Sequence, residues 1–210
     1  MRLLELFSGT GSVGRVFRDA GWDVVSVDLD PKAGATITCD IMKWNYEAFE
    51  PGTFHVIWAS PPCTHYSVAR TKAKTPRDLE GSDKIVQRTL DIIGYFKPFL
   101  WFMENPGTGL LAKRPVVAGL PYKRVTYCSY GYPYRKLTFL WTNADWQPRP
   151  CCRKDCWAMV GRKHAMTAQR GPSAAGVAHD RCSLQELYWI PEELVQEILR
   201  HVVQQIFLHQ

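Results

Sequence analysis

Two short stretches of this chain carry side chains capable of covalent chemistry. In "ASPPCTHYS" (59–67), Cys63 follows Pro61 and Pro62 directly after the apolar run 54–58. Two prolines fix the backbone and remove two N–H donors, so the direction of the thiol is preset. In "MENPG", Glu104 follows the apolar run "PFLWFM" in the same way. A thiol is a useful nucleophile only as its thiolate, which nearby positive charge or a helix N-terminus promotes. A carboxyl group beside it can hold or deliver a proton. Each residue alone has a plainer alternative: a small buried filler for Cys63, a helix-capping or surface acid for Glu104.

A third stretch, "LELFSGTGSVGRVF", sets Gly9, Gly11 and Gly14 between a strand-like run and a helix-like one. Glycines there permit a sharp turn and a close ligand approach. G-x-G-x-x-G alone is a weak signal. It gains weight because the next β-branched run, "VVSVDLD", ends at Asp28, where an acid can accept hydrogen bonds from ribose hydroxyls. Asp40 and Ile41, in "TCDIMKW", offer a second acid that could receive an adenine amino group or be a solvated loop residue.

The elements that must position these groups follow from hydrophobic periodicity. "RLLELF", "WDVVSVDLD", "TFHVIWAS" and "PFLWFMEN" read as strands, and "SVGRVFRDAG" reads as a helix stopped by Gly21. From Asp83 to Lys97 the apolar residues fit one helix face, with Ser82 as its cap. "KRVTYCSYGYPYRKLTFLWTN" predicts two strands joined by a tight aromatic turn, and "IPEELVQEILRHVVQQIFL" a closing helix. Alternating strands and helices imply an α/β fold with a mostly parallel sheet covered on both faces and an antiparallel hairpin at one edge. Such sheets carry ligands at the carboxyl ends of their strands. Neighbouring strands would therefore bring Cys63 and Glu104 to one pocket beside the glycine turn. The expected organisation is a core over 1–143, a small irregular basic insert rich in Cys and His over 144–183, and a C-terminal helix over 184–210.

The 26 Lys and Arg against 20 Asp and Glu give a net charge of +6. That permits an anionic partner such as nucleic acid without requiring one. No run reaches the ~20 apolar residues needed to span a bilayer. The opening residues do not read as a secretory signal. An intracellular protein with reduced, catalytic or metal-bound cysteines is expected, seven in number.

Taken in order, these motifs resemble the cytosine-5 DNA methyltransferases. "LELFSGTGSVGRVFRDAG" is similar to their cofactor loop, "SPPC" to their catalytic Pro-Cys and "MENP" to their Glu-Asn motif, over about the first 140 residues. The resemblance implies a Rossmann-like S-adenosylmethionine-dependent fold acting on DNA by base flipping. It implies that Phe7, Gly9, Thr10, Gly11, Asp28, Leu29, Asp40, Ile41 and Pro61 hold S-adenosylmethionine. Cys63 would attack C6 of cytosine and Glu104 would engage N3. The family's base-gripping strand motif is replaced here by Tyr134, Lys136 and Thr138, with Arg135 and Lys136 as the candidates to contact the base. Pro106 stands where the family has a β-branched residue, and the Gly-Asn before the last helix is missing. The segment before that helix is far shorter than the family's target-recognition domain. A short recognition sequence and a monomer are expected.

Arg70, Lys72, Lys74 and Arg77 follow Cys63 and suggest a mobile basic loop that closes over phosphate. In "CCRKDCWAMVGRKH", Cys152, Cys156 and His164 suit a structural zinc, with Cys128 or Cys151 as a fourth ligand; His179 and Cys182 lie further on. Two alternatives keep S-adenosylmethionine: methylation of an exocyclic amino group, and cytosine-5 methylation of RNA. The first would place an aromatic residue, not Cys63, after the prolines to stack on the base.

Overall fold

The structure, a computed structural model, describes residues 1–68, 70, 73–168 and 180–208. Strands β1 (Arg2–Leu6), β2 (Asp23–Asp28), β3 (Ile37–Thr38), β4 (Val56–Ala59), β5 (Leu100–Pro106), β6 (Tyr122–Thr126) and β7 (Leu137–Thr142) form one seven-stranded sheet. Its order is β3-β2-β1-β4-β5-β7-β6, parallel except for β7, which runs antiparallel to both β5 and β6. The two-residue alternation of strands divides the core into two layers. Leu3, Val56, Trp58 and Phe102 face helices α1 (Ser12–Asp19) and α4 (Glu192–Leu208). Leu4, Leu6, Ile57, Ala59 and Met103 face helix α2 (Leu79–Phe96). Both faces are buried, so these strands read as continuous apolar runs.

Register places the chemistry. Leu6 pairs with Val27 and Ala59, and Ala59 with Met103. The residues that follow β1, β2 and β4 and the end of β5 therefore meet along one carboxyl edge.

Two sequence expectations are corrected. Helix α2 begins at Leu79, four residues before Asp83, because Asp78 caps it by accepting from the Gly81 N–H. Ser82 is an interior residue whose hydroxyl donates to the Asp78 carbonyl. The connection from β6 to β7, residues 127–136, is no tight turn. Tyr127, Tyr130 and Tyr134 are each almost fully buried, so the segment folds inward to dock three large rings.

The segment after β7 contains two minimal pairings: Met159–Val160 with Lys163–His164, antiparallel, and Met166–Thr167 with Asp180–Arg181, parallel. Arg149 ties its root to α4 through Glu193 and Glu197 and to the Ser129 carbonyl. Helix α3 (Leu184–Tyr188) then leads into α4, and Ser183 and Glu186 form its capping box.

Candidate active site

The loop after β4 is held from several sides. Asn105, fully buried on β5, donates its amide to the Pro61 carbonyl at 2.9 Å. Beyond the thiol, the N–H groups of Tyr66 and Ser67 both donate to the Cys63 carbonyl. Tyr66 is fully buried; its hydroxyl donates to Asp83, which also takes a two-pronged ion pair from Arg114. The Leu110 N–H donates to the Tyr66 carbonyl. Cys63, half-buried, thus sits in a short turn with little freedom. Preorganisation of this kind places a nucleophile before substrate arrives.

Glu104 lies beside it, buried. The Tyr127 hydroxyl donates to Glu104 Oε1 at 3.2 Å, and Lys136 Nζ stands 3.7 Å from the same oxygen. The ammonium also lies over the Tyr127 ring and donates to the Leu187 carbonyl. Burial pushes the Cys63 thiol above its ordinary value, and the Glu104 charge pushes it further; Lys136 acts against both. The two residues are thus close enough to feel each other electrostatically, and at rest Cys63 is a thiol. Burial, with the Glu104 charge, raises Tyr127 as well, which keeps it a donor.

At the other end of the same edge, the Asp28 carboxylate accepts from the Gly9 N–H at 2.7 Å and from the Asp30 N–H at 2.8 Å. A carboxylate has about four acceptor sites, so two remain for a ligand. Phe7 adopts φ 59°, a strained conformation for a residue with a side chain, and Gly9 and Gly11 share this left-handed region. The residues present fit an adenosine cofactor. The Ser8 hydroxyl is buried without a partner, an orphan a ligand group can satisfy. Leu29 is 69% exposed immediately after Asp28. Thr10 spends its hydroxyl on Ser12. Asp40 accepts from the Met42 N–H, Ile41 is buried, and the Ile41 carbonyl accepts from Arg88. Pro61 is buried at the foot of the cysteine loop.

The remaining predicted residues divide. Lys136 points at Glu104, whereas the Arg135 guanidinium donates to the Cys152 carbonyl. Tyr134 is buried with its hydroxyl on the Glu186 carbonyl. Arg70 and Arg77 are spent on the loop itself, Arg70 on Thr75 and Pro76, Arg77 on the His65 carbonyl. Lys74 is exposed; Lys72 and His179 lie outside the described residues. Cys128, Cys152, Cys156 and His164 come together, their ligand atoms within 4.8 Å of one another, a cluster able to bind zinc. Burial, with help from Arg135 and Lys154, lowers the His164 imidazole and keeps it neutral. Asn105, Tyr66 and Tyr127 were not foreseen. Only Asn105 had a local signal, its place beside Glu104.

A strand–glycine turn–helix with a cysteine-bearing loop on the adjacent strand defines a Rossmann-like methyltransferase fold, and solved structures agree. A "putative DNA modification methyltransferase encoded within prophage" from E. coli superposes with a TM-score of 0.51 at 18% identity, over 68% of this chain and 46% of that one. The Entamoeba histolytica methyltransferase EhMeth does so with 0.51 at 15% identity, over 68% and 52%. This chain therefore spans about half the length of those two, and the likeness concerns the fold. The family described as C-5 cytosine-specific DNA methylase matches residues 1–115. A "Probable DNA (cytosine-5)-methyltransferase" of Frog virus 3 (isolate Goorha) is 32% identical over 95% of this chain and 99% of its own length. The chain belongs to the C-5 cytosine-specific DNA methylase family. Among the described residues no helix is long and apolar enough to cross a membrane.

Proposed function

We propose that this protein transfers a methyl group from S-adenosylmethionine to C5 of cytosine in DNA, through a covalent adduct of Cys63. One observation carries the reading: Cys63 and Glu104, from the loop after β4 and the end of the adjacent β5, lie within electrostatic reach of each other on the carboxyl edge that also carries the Gly9–Asp28 turn. The relative from Frog virus 3, similar along nearly its whole length, supports the same activity. Phe7, Gly9, Gly11, Asp28 and Leu29 would hold the cofactor, which supplies an electrophilic methyl group.

The residues act as follows. A cytosine inside a duplex is out of reach, so the base is swung out into the pocket. The Cys63 thiol loses its proton and its sulfur bonds to C6. Glu104 takes up the proton that Cys63 releases and presents it to N3 as a hydrogen bond or by transfer, so that electron density gathers at C5, and N3 gives the proton back when the ring is restored. C5 takes the methyl group. Loss of the C5 proton then restores the double bond and breaks the S–C6 bond, returning the thiolate. Lys136 stabilises the negative sulfur and would meet the base's carbonyl oxygen. Tyr127 holds Glu104 in position. The short segment between β7 and α3 reads only a short target sequence. A structural zinc on Cys152, Cys156 and His164 belongs to the same reading.

The test is a duplex carrying 5-fluorocytosine, incubated with the protein and cofactor. A species cross-linked at Cys63 is expected, because fluorine cannot leave as a proton does. Turnover of ordinary DNA without such a species would overturn the reading. Digestion of the product separates 5-methylcytosine from an amino-methylated base, and a parallel transfer RNA substrate separates DNA from RNA.

A further inference from the structure

Methyl transfer makes no use of the Cys/His cluster, yet its geometry is specific. The His164 Nε2 atom stands 3.5 Å from Cys152 Sγ and 3.3 Å from Cys156 Sγ. A tetrahedral zinc with sulfur at ~2.3 Å and nitrogen at ~2.0–2.1 Å separates such atoms by about 3.6 Å. The fourth atom, Cys128 Sγ, lies within 4.8 Å of the other three, and three of the four residues are buried. Cys151 is not part of the set: its thiol turns to the Arg124 carbonyl. The Lys154 N–H donates to Cys152 Sγ at 3.2 Å, an outer partner suited to a metal-bound sulfur. The segment needs such a centre, because between 151 and 168 only Cys152, Ala158 and His164 are buried. One alanine is no hydrophobic core.

We propose that Cys128, Cys152, Cys156 and His164 bind one zinc ion tetrahedrally, and that the ion clamps the insert to the segment whose Tyr127 and Lys136 hold Glu104. The inference rests on the zinc reading above and adds both the fourth ligand and the clamp. Three thiolates and an imidazole in a closed site select zinc over hard cations. The clamp follows from what adjoins the ligands. Cys128 comes directly after Tyr127, the residue bonded to Glu104. Cys152 receives Arg135 on its carbonyl and gives its N–H to Thr126 Oγ1 at 2.9 Å. Arg135 in turn precedes Lys136, the other neighbour of Glu104. Metal at this point joins the insert to both residues that hold the carboxyl group.

The test uses the full chain. Elemental analysis of purified protein is expected to give one zinc per chain. Cobalt exchanged into the site is expected to show tetrahedral d–d bands and thiolate charge-transfer absorption of three-sulfur strength. Cys128→Ser should weaken zinc retention against a chelator by at least about tenfold, while Cys151→Ser retains it fully. On chelation, hydrogen exchange should accelerate in 127–136 and 151–168 but not in the strands around Gly9. Less than about a tenth of an equivalent of zinc, or iron in its place, overturns the zinc reading itself. Full zinc with a two-sulfur cobalt spectrum, or unweakened retention in Cys128→Ser, overturns the fourth ligand. Unchanged exchange in 127–136 overturns the clamp. The cobalt spectrum of the unmodified protein decides the ligand count even if Cys128→Ser fails to fold.

Discussion

The carboxyl edge of the sheet and the insert at 151–168 solve the same problem by different means. At the edge, Cys63 and Glu104 are positioned by strands β4 and β5, whose apolar residues pack alternately on one of two layers. The insert buries almost nothing apolar and holds its shape by hydrogen bonds, two-residue pairings and a cluster of ligand atoms. Chemistry that tolerates little displacement sits on rigid elements. A segment with no core of its own can hold a shape once it is pinned at a few points.

The comparison can be broken at the edge first. Cys63→Ser should abolish product by at least about 10⁴-fold while cofactor binding persists, measured by methyl incorporation beside calorimetry. A smaller loss would mean that the edge does not position a nucleophile. Next in size is Glu5, buried on β1 behind the glycine turn. Burial, opposed by the Gly14 and Val13 N–H groups, raises its pKa to about 7 from an ordinary 4.5. Because the folded value is the higher one, the unfolded chain releases this proton first as pH rises. Stability should be full below about 4.5, fall through the window up to 7, and then level off, a loss of roughly 3 kcal/mol. Denaturant titrations of Glu5→Gln should show this slope removed.

Asp28→Ala removes the acceptor of the Gly9 N–H and should weaken cofactor binding by about ten- to a hundredfold, read by calorimetry. The smallest effect is the sharpest probe of the pocket's charges. Alkylation of Cys63, followed by peptide mass spectrometry across pH, should speed up about three- to tenfold near neutrality in Glu104→Gln and slow similarly in Lys136→Gln. Equal rates in the two variants would separate Cys63 from both groups.

Much of the edge was legible in sequence because its signals are local. β-branched runs, a glycine turn and a Pro-Pro-Cys at a strand mouth each declare themselves within about ten residues. Apart from the local choice of cap for α2, what escaped depends on distant partners. Ser82 looked like a cap until Asp78 was seen to reach the Gly81 N–H. The stretch 127–136 looked like a hairpin turn because the burial of its tyrosines is decided by other elements. Asn105 was readable as a neighbour of Glu104, yet its bond to Pro61 crosses from one strand to the next. Cys128 was one of two candidates for the fourth ligand, and only the fold brings it to Cys152.

The order of the sheet has a consequence for biosynthesis. β1 is an interior strand, flanked by β2 and β4, and one of its faces is covered by α1 together with α4. Lys136, the cation beside Glu104, is anchored on the Leu187 carbonyl. A nascent chain emerging from the ribosome can therefore expose Cys63 long before the segment that completes its surroundings has been translated. A polypeptide interrupted before α3 would carry the Cys63 thiol while Lys136 lacked the Leu187 carbonyl that anchors it.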